Sequence, residues 1–130
     1  MGDQAKPSRV ILVVEDEEVV RGLIRRILEA EGHEIVEAGN GAEALRLCMD
    51  RPDEPIDLLL TDLVIPKLSG PELAASLRSF WPELPVLWMS GYAEGVSAHF
   101  GQMPPHTEFI QKPFAPVELA RRVRELLGSR

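Results

Sequence analysis

Cysteine is almost absent from this chain of 130 residues. The one cysteine, Cys48, cannot form a disulfide within the chain, which favours a reducing compartment. Residues 1–8 lack the apolar stretch of a signal peptide, and no apolar run approaches the length that spans a membrane. We therefore expect a cytoplasmic protein without membrane insertion, in which Cys48 fills core and residues 1–8 form a flexible tail.

Positive charge is also scarce, with 14 Lys and Arg residues against 21 Asp and Glu residues and a formal net charge of -7. This balance disfavours direct binding to nucleic acid through its phosphates. The length suits one domain, which we place at residues 9–128, and it allows a core large enough to fold without staples. Any DNA-binding function would therefore need another domain.

Short apolar runs alternate with amphipathic segments along the whole chain, five of each. This alternation is typical of a doubly wound α/β fold with a five-stranded parallel sheet, for which we predict the strand order 2-1-3-4-5. The predicted strands cover about residues 9–14, 34–37, 56–61, 85–89 and 107–111. The third run is the central strand, because it is mostly large and apolar and contains no glycine.

The amphipathic segments carry recognisable helix ends. The first helix is predicted to stop near Gly32, Asn40 is a plausible cap for the second, and Pro71 stands where a helix start tolerates proline. The segment from Tyr92 to His106 holds two glycines and two prolines, so any helix there is weakly specified. We therefore predict that this segment is mobile.

Three of the apolar runs end on charged residues. Glu15-Asp16 follows the first run, Asp62 the third and Lys112 the fifth. The carboxyl ends of parallel strands share one edge of a sheet, so three carboxylates and one ammonium group should converge in a crevice. Crowded carboxylates raise one another's pKa unless a cation relieves them, and Mg²⁺ prefers such oxygen ligands together with a phosphate. The sequence therefore predicts a Mg²⁺ and phosphate site.

The same crevice contains the groups needed for phosphoryl chemistry. Asp62 is the natural nucleophile, because carboxylates can form an aspartyl-phosphate. Lys112 offers a mobile charge for a phosphate oxygen, and Ser90, at the end of the fourth run, offers a hydroxyl donor.

These residues resemble the receiver domain of the two-component response regulators. The motifs that carry the resemblance span nearly the whole chain in the order of the family: Glu15-Asp16, Asp62 with Pro66 and Gly70, Ser90-Gly91, and Phe109 followed by Lys112-Pro113-Phe114. The departures are mild, since Asp-Asp, threonine and tyrosine are commoner than Glu15-Asp16, Ser90 and Phe109.

The resemblance implies a flavodoxin-like (βα)5 three-layer sandwich that catalyses its own phosphorylation and dephosphorylation rather than acting as a conventional enzyme. Asp62 would take a phosphoryl group from a histidine kinase or a histidine phosphotransfer protein, and Lys112 would contact its oxygens. Ser90 and Phe109 would move together as a switch near the segment after the fourth strand. The resemblance also allows a weak or phosphorylation-dependent dimer.

The resemblance assigns further roles around Asp62. Mg²⁺ would be held by Glu15, Asp16, Asp62 and the backbone carbonyl of Val64. A cis bond before Pro113 would aim the Lys112 ammonium into the crevice. Val64 and Tyr92, each two residues after a site residue, would flank the path of the water that hydrolyses the aspartyl-phosphate.

Other functions fit the chain less well. A nucleotide- or flavin-binding fold needs a glycine-rich loop after the first strand, but this chain has four acids there. A haloacid dehalogenase phosphatase needs a second aspartate where Val64 stands. The three histidines pair with no cysteine cluster, which argues against zinc. A degenerate receiver that only binds proteins is the alternative function. The chain is either a stand-alone regulator or the receiver of a hybrid sensor kinase. The Ser90-Gly91-Tyr92-Ala93 motif is more similar to receivers attached to hybrid sensor kinases.

Overall fold

A computed structural model describes residues 9–51, 53–65, 67–91 and 106–128 of the chain. Five strands form one parallel sheet in the order β2-β1-β3-β4-β5, as predicted. The strands are β1 Val10–Val14, β2 Glu34–Ala38, β3 Leu58–Asp62, β4 Val86–Ser90 and β5 Thr107–Gln111. The helices of the described ranges are α1 Glu18–Glu29, α2 Gly41–Met49, α3 Gly70–Arg78 and α4 Pro116–Gly128.

Helices cover both faces of the sheet, which confirms the doubly wound architecture. Successive strand residues point to opposite faces, so each apolar run supplies two separate cores. Leu12, Leu59 and Trp88 pack with α2 and α3 on one face, whereas Val13 and Leu60 pack with α1 and α4 on the other. All five residues of β3 are buried, as expected for the central strand.

The predicted helix ends agree with the structure where it describes them. The Asn40 side chain accepts a hydrogen bond from the Glu43 N–H at 2.8 Å, which caps α2. Ser69 and Glu72 form a reciprocal capping box at the start of α3, with Pro71 in the first turn. Gly32 has a φ of 92° in the turn after α1, a conformation that favours glycine.

Some apolar residues lie outside the strands or outside the buried stripes of the helices. The predicted third strand begins at Ile56, but this residue precedes β3 and does not belong to the strand ladder. Packing alone keeps it buried. Leu23 and Val117 are 53% and 78% exposed, since the period of about 3.6 residues per turn rotates them away from the buried stripes of their helices.

Two predictions fall on residues that the structure does not describe. The flexible tail at residues 1–8 and most of the segment from Tyr92 to His106 lie outside the described ranges. Within those ranges, every helix is too short or too polar to cross a lipid bilayer.

Candidate acidic site at the carboxyl edge of the sheet

The predicted acidic residues and the lysine meet at the carboxyl edge of the sheet. Glu15 directly follows β1, Asp62 ends β3, and Lys112 directly follows β5. They line a crevice of about 320 Å³. Its walls are formed by Glu15, Asp16, Glu17, Asp62, Leu63, Val64, Met89, Ser90, Gly91 and Lys112.

The Lys112 ammonium group bridges two carboxylates. Its Nζ lies 2.8 Å from Glu15 Oε1 and 2.6 Å from Asp62 Oδ1. Glu15 is 1% exposed, and its second oxygen accepts the Glu17 N–H at 3.0 Å. The Lys112 N–H donates to the Ser90 carbonyl at 2.8 Å, and the bond from Lys112 to Pro113 is cis. The ammonium group therefore partly neutralises two buried acids that would otherwise repel each other.

The electrostatics of the two buried acids differ. Burial, followed by the hydrogen bond with Glu15, raises the pKa of Asp62 to about 7, against the opposing effect of Lys112. Burial also acts to raise the pKa of Glu15, but hydrogen bonds with Asp62, Lys112 and the Glu17 N–H hold that pKa below its ordinary value. The two carboxyl groups therefore titrate as a pair, in which the pKa of Asp62 is raised and that of Glu15 is lowered.

Three carboxylates lie close enough to hold one metal ion. Glu15, Asp16 and Asp62 each offer an oxygen atom, and these three atoms all lie within 4.8 Å of one another. Asp16 is exposed, so one side of the cluster faces water. Hard oxygen donors with open positions fit Mg²⁺, which keeps several waters when it binds to proteins.

The structure places the other predicted residues as follows. Ser90 is half-buried, and it borders the crevice together with Val64, which is 79% exposed. Phe109 lies apart from the crevice and packs against the apolar cluster on the α2 and α3 face. Pro66 and Tyr92 lie outside the described residues.

The family described as response regulator receiver domain matches residues 11–124. The chain belongs to this family. Receiver domains are not conventional enzymes, and an acidic cluster such as Glu15, Asp16 and Asp62 is typical of their phosphorylation site.

Relatives support the assignment of this receiver in sequence and in structure. The sensor kinase CckA of Brucella abortus (strain 2308) is 36% identical over 120 residues, which cover 92% of the chain and 13% of the kinase. The crystal structure of the receiver domain from the hybrid histidine kinase CckA has a TM-score of 0.76 at 36% identity, covering 91% of this chain and 98% of that one. A receiver protein from Sinorhizobium medicae WSM419 has a TM-score of 0.83 at 25% identity, covering 94% and 96%.

The receiver is shorter than the curated relatives it matches. It spans 13% of the length of the sensor kinase CckA and 48% of two transcriptional regulatory proteins. The activities of those larger proteins therefore do not transfer to this chain by similarity alone.

Sequence reasoning missed two contributions to the site. Gly70 belongs to the motif around Asp62, but only the structure explains it: a Cβ atom there would lie 2.5 Å from the Asp62 carbonyl oxygen. The sequence pattern places Arg21 on the polar side of the first helix, yet its Nη1 donates to the Glu15 carbonyl at 2.8 Å. No sequence signal marks this second contact, because any arginine on the polar side of a helix has the same pattern.

Proposed function

We propose that this receiver accepts a phosphoryl group on Asp62 from a sensor histidine kinase or a histidine phosphotransfer protein, with Mg²⁺ as cofactor, and then changes a protein-interaction surface. The observation that carries the proposal is the Lys112 ammonium group held against Asp62 Oδ1, beside an acidic cluster that opens to water. One crevice thus combines a carboxylate for attack, a cation for the phosphate oxygens and a metal-binding cluster.

The transfer step follows from these groups. An oxygen of ionised Asp62 forms a bond to phosphorus, while the phosphorus–nitrogen bond of the phosphohistidine breaks and its electron pair leaves with the imidazole. Lys112 turns from the Asp62 carboxylate toward a phosphoryl oxygen, and the Ser90 hydroxyl donates to another. Glu15, Asp16, Asp62 and the Val64 carbonyl would hold Mg²⁺, which supplies positive charge for the phosphoryl oxygens when bound.

The proposed switch uses the neighbouring strands β4 and β5. Ser90 at the end of β4 pairs in register with Gln111, and Phe109 pairs with Trp88. If Ser90 moves toward the phosphoryl group, the Phe109 ring can leave its partly buried position and rotate into the vacated space. The surface that changes would then include β5.

The first experiment tests the need for magnesium. We expect incubation with acetyl phosphate and Mg²⁺ to add the mass of one phosphoryl group to the intact protein, as measured by mass spectrometry. Excess EDTA should prevent the addition, because the carboxylate cluster alone repels an anionic donor. Labelling that is equally fast in EDTA would refute the role of the metal, and no labelling under any condition would favour the alternative of a protein-binding module.

The lifetime of the aspartyl-phosphate should depend on Val64. Its hydrocarbon side chain borders the crevice two residues after Asp62 and cannot orient a water for attack on phosphorus. We expect Val64→Asn to lose its phosphoryl group faster, on the order of tenfold, because an amide can orient water although it cannot take its proton. The measurement is the decay of the phosphorylated mass in Mg²⁺ buffer after removal of the donor.

Val64→Leu is the matched control for this measurement, because it keeps the position apolar. Its decay rate should equal that of the wild type. An unchanged or slower decay in Val64→Asn would contradict the proposed role.

A further inference from the structure

The backbone of Glu15 is held from both sides as it leaves β1. Its N–H donates to the Ala38 carbonyl at the end of β2, at 3.1 Å. Its carbonyl oxygen accepts a hydrogen bond from Arg21 Nη1, at 2.8 Å. The first contact extends the β1–β2 ladder, but the second comes from a side chain on α1 and is independent of the sheet.

The arginine that makes this contact is itself fixed by an ion pair. Arg21 Nε donates to Glu37 Oε1 on β2, at 3.2 Å, and the Arg21 side chain is 19% exposed. A planar guanidinium group with two occupied donors has little freedom to turn. Arg21 therefore connects α1, the end of β2 and the exit of β1 through one rigid group.

The Glu15 carbonyl belongs to the peptide plane that joins Glu15 to Asp16. Because a peptide group is planar, a hydrogen bond to the Glu15 carbonyl oxygen also orients the N–H and the Cα atom of Asp16. The Asp16 side chain is exposed, and the structure shows no hydrogen bond to its carboxylate among the described residues. The backbone thus sets the position of the Asp16 Cα atom, and with it the region that this carboxylate can reach.

We infer that Arg21 is a positioning residue for the metal site: it sets the Glu15–Asp16 peptide and so directs the Asp16 carboxylate toward Glu15 and Asp62. The inference rests on the proposed function for its metal, but the contact itself does not involve one. Groups that orient metal ligands through hydrogen bonds change metal affinity by about 10- to 100-fold when they are removed. Arg21 would act in this way through the backbone of a ligand.

Arg25 offers a matched comparison on the same helix. It lies one turn after Arg21, and its Nε is 3.2 Å from Glu37 Oε2. The structure gives no contact between Arg25 and the backbone of Glu15 or Asp16. Removing either arginine takes one positive charge from beside Glu37. Arg21 is the more buried of the two and is hydrogen-bonded to Glu37, but its carbonyl contact is the difference that reaches the Glu15–Asp16 peptide.

The test compares Arg21→Gln with Arg25→Gln in two measurements. The first is the backbone amide signal of Asp16 in metal-free ¹⁵N-labelled protein, which should move in Arg21→Gln and stay in Arg25→Gln. The second is the rate of labelling by acetyl phosphate across a Mg²⁺ titration. We expect Arg21→Gln to need about tenfold more Mg²⁺ for half the maximal rate, with the maximal rate within about twofold of the wild type.

Several results would overturn the inference. An Arg21→Gln variant with an unmoved Asp16 amide and an unchanged Mg²⁺ requirement would do so, as would an equal loss in Arg25→Gln, since that would assign the effect to charge alone. If Arg21→Gln does not fold, Arg21→Lys is used, because lysine keeps the positive charge beside Glu37 but lacks the planar fork of donors that reaches Glu37 and the Glu15 carbonyl at the same time. Wild-type protein that shows no Mg²⁺ dependence would refute the proposed function, whereas the metal-free Asp16 signal would still decide the role of Arg21.

Discussion

The Asp62→Asn variant is expected to take up no phosphoryl group from acetyl phosphate, even with saturating Mg²⁺. The substitution keeps the shape of the side chain but removes the ionised oxygen that would form the bond to phosphorus. It also removes one of the three carboxylates of the metal cluster. Intact-mass spectrometry over a time course checks this result directly.

Asp57→Asn is the matched control, because Asp57 stands at the opposite end of β3. Its carboxylate accepts the Val10 N–H at 2.8 Å, a contact that an asparagine oxygen can also make. This variant should label at the wild-type rate. Labelling of Asp62→Asn at that rate would show that another residue is the nucleophile.

Asp62→Asn should abolish labelling but increase the free energy of unfolding. Burial and Glu15 raise the pKa of Asp62 from its ordinary value of 3.8 to about 7. Between these two values the folded protein holds a proton that the unfolded chain has released, so the free energy of unfolding falls as the pH rises from about 4 to about 7. The stabilising proton is fully present below this window and lost above it.

Asp62→Asn removes this loss, because an amide stays neutral at every pH. Each pH unit between the two pKa values corresponds to about 1.4 kcal/mol in the free energy of unfolding. The gain in stability from Asp62→Asn therefore has an upper bound of about 4 kcal/mol. Partial contact with water screens the charge, so we expect the variant to be more stable by about 2 kcal/mol near pH 8 in EDTA. The difference should shrink toward zero near pH 4, as measured by urea unfolding at each pH.

Asp16→Asn provides the control for stability, since it removes a carboxylate of the same cluster that is exposed to water. Its free energy of unfolding should stay within about 0.5 kcal/mol of the wild type. An Asp62→Asn variant that is no more stable than the wild type near pH 8 would mean that burial of the ionised carboxylate has little cost.

The sequence was sufficient to predict the fold because local pattern and global architecture agree. The five runs alternate with helical segments, and the order of the strands follows from the doubly wound topology. The ends of β3 were less predictable. Ile56 is as apolar as a strand residue but lies before the ladder, and Asp62 is charged but belongs to it, so hydrophobicity alone misplaces both boundaries.

The candidate site was predictable in its members but not in its geometry. That Glu15, Asp62 and Lys112 meet follows from their positions at the ends of parallel strands. The bridge from one ammonium group to both acids depends on side-chain distances, and Lys112 and Glu15 lie 97 positions apart in the chain. The contact from Arg21 to the Glu15 carbonyl depends likewise on how α1 lies against the sheet, which no periodicity encodes.

Asp62 stands at the tip of the innermost strand, whose five residues are all buried and which is hydrogen-bonded to β1 on one side and β4 on the other. Shifting β3 would break both ladders and open both cores, so this strand resists deformation more than its surroundings do. If the proposed phosphoryl group adds charge at the tip of β3, we therefore expect the sheet beneath it to shift little. The polar groups around the crevice would move instead, and a rigid support would favour transmission of the proposed signal to the surface.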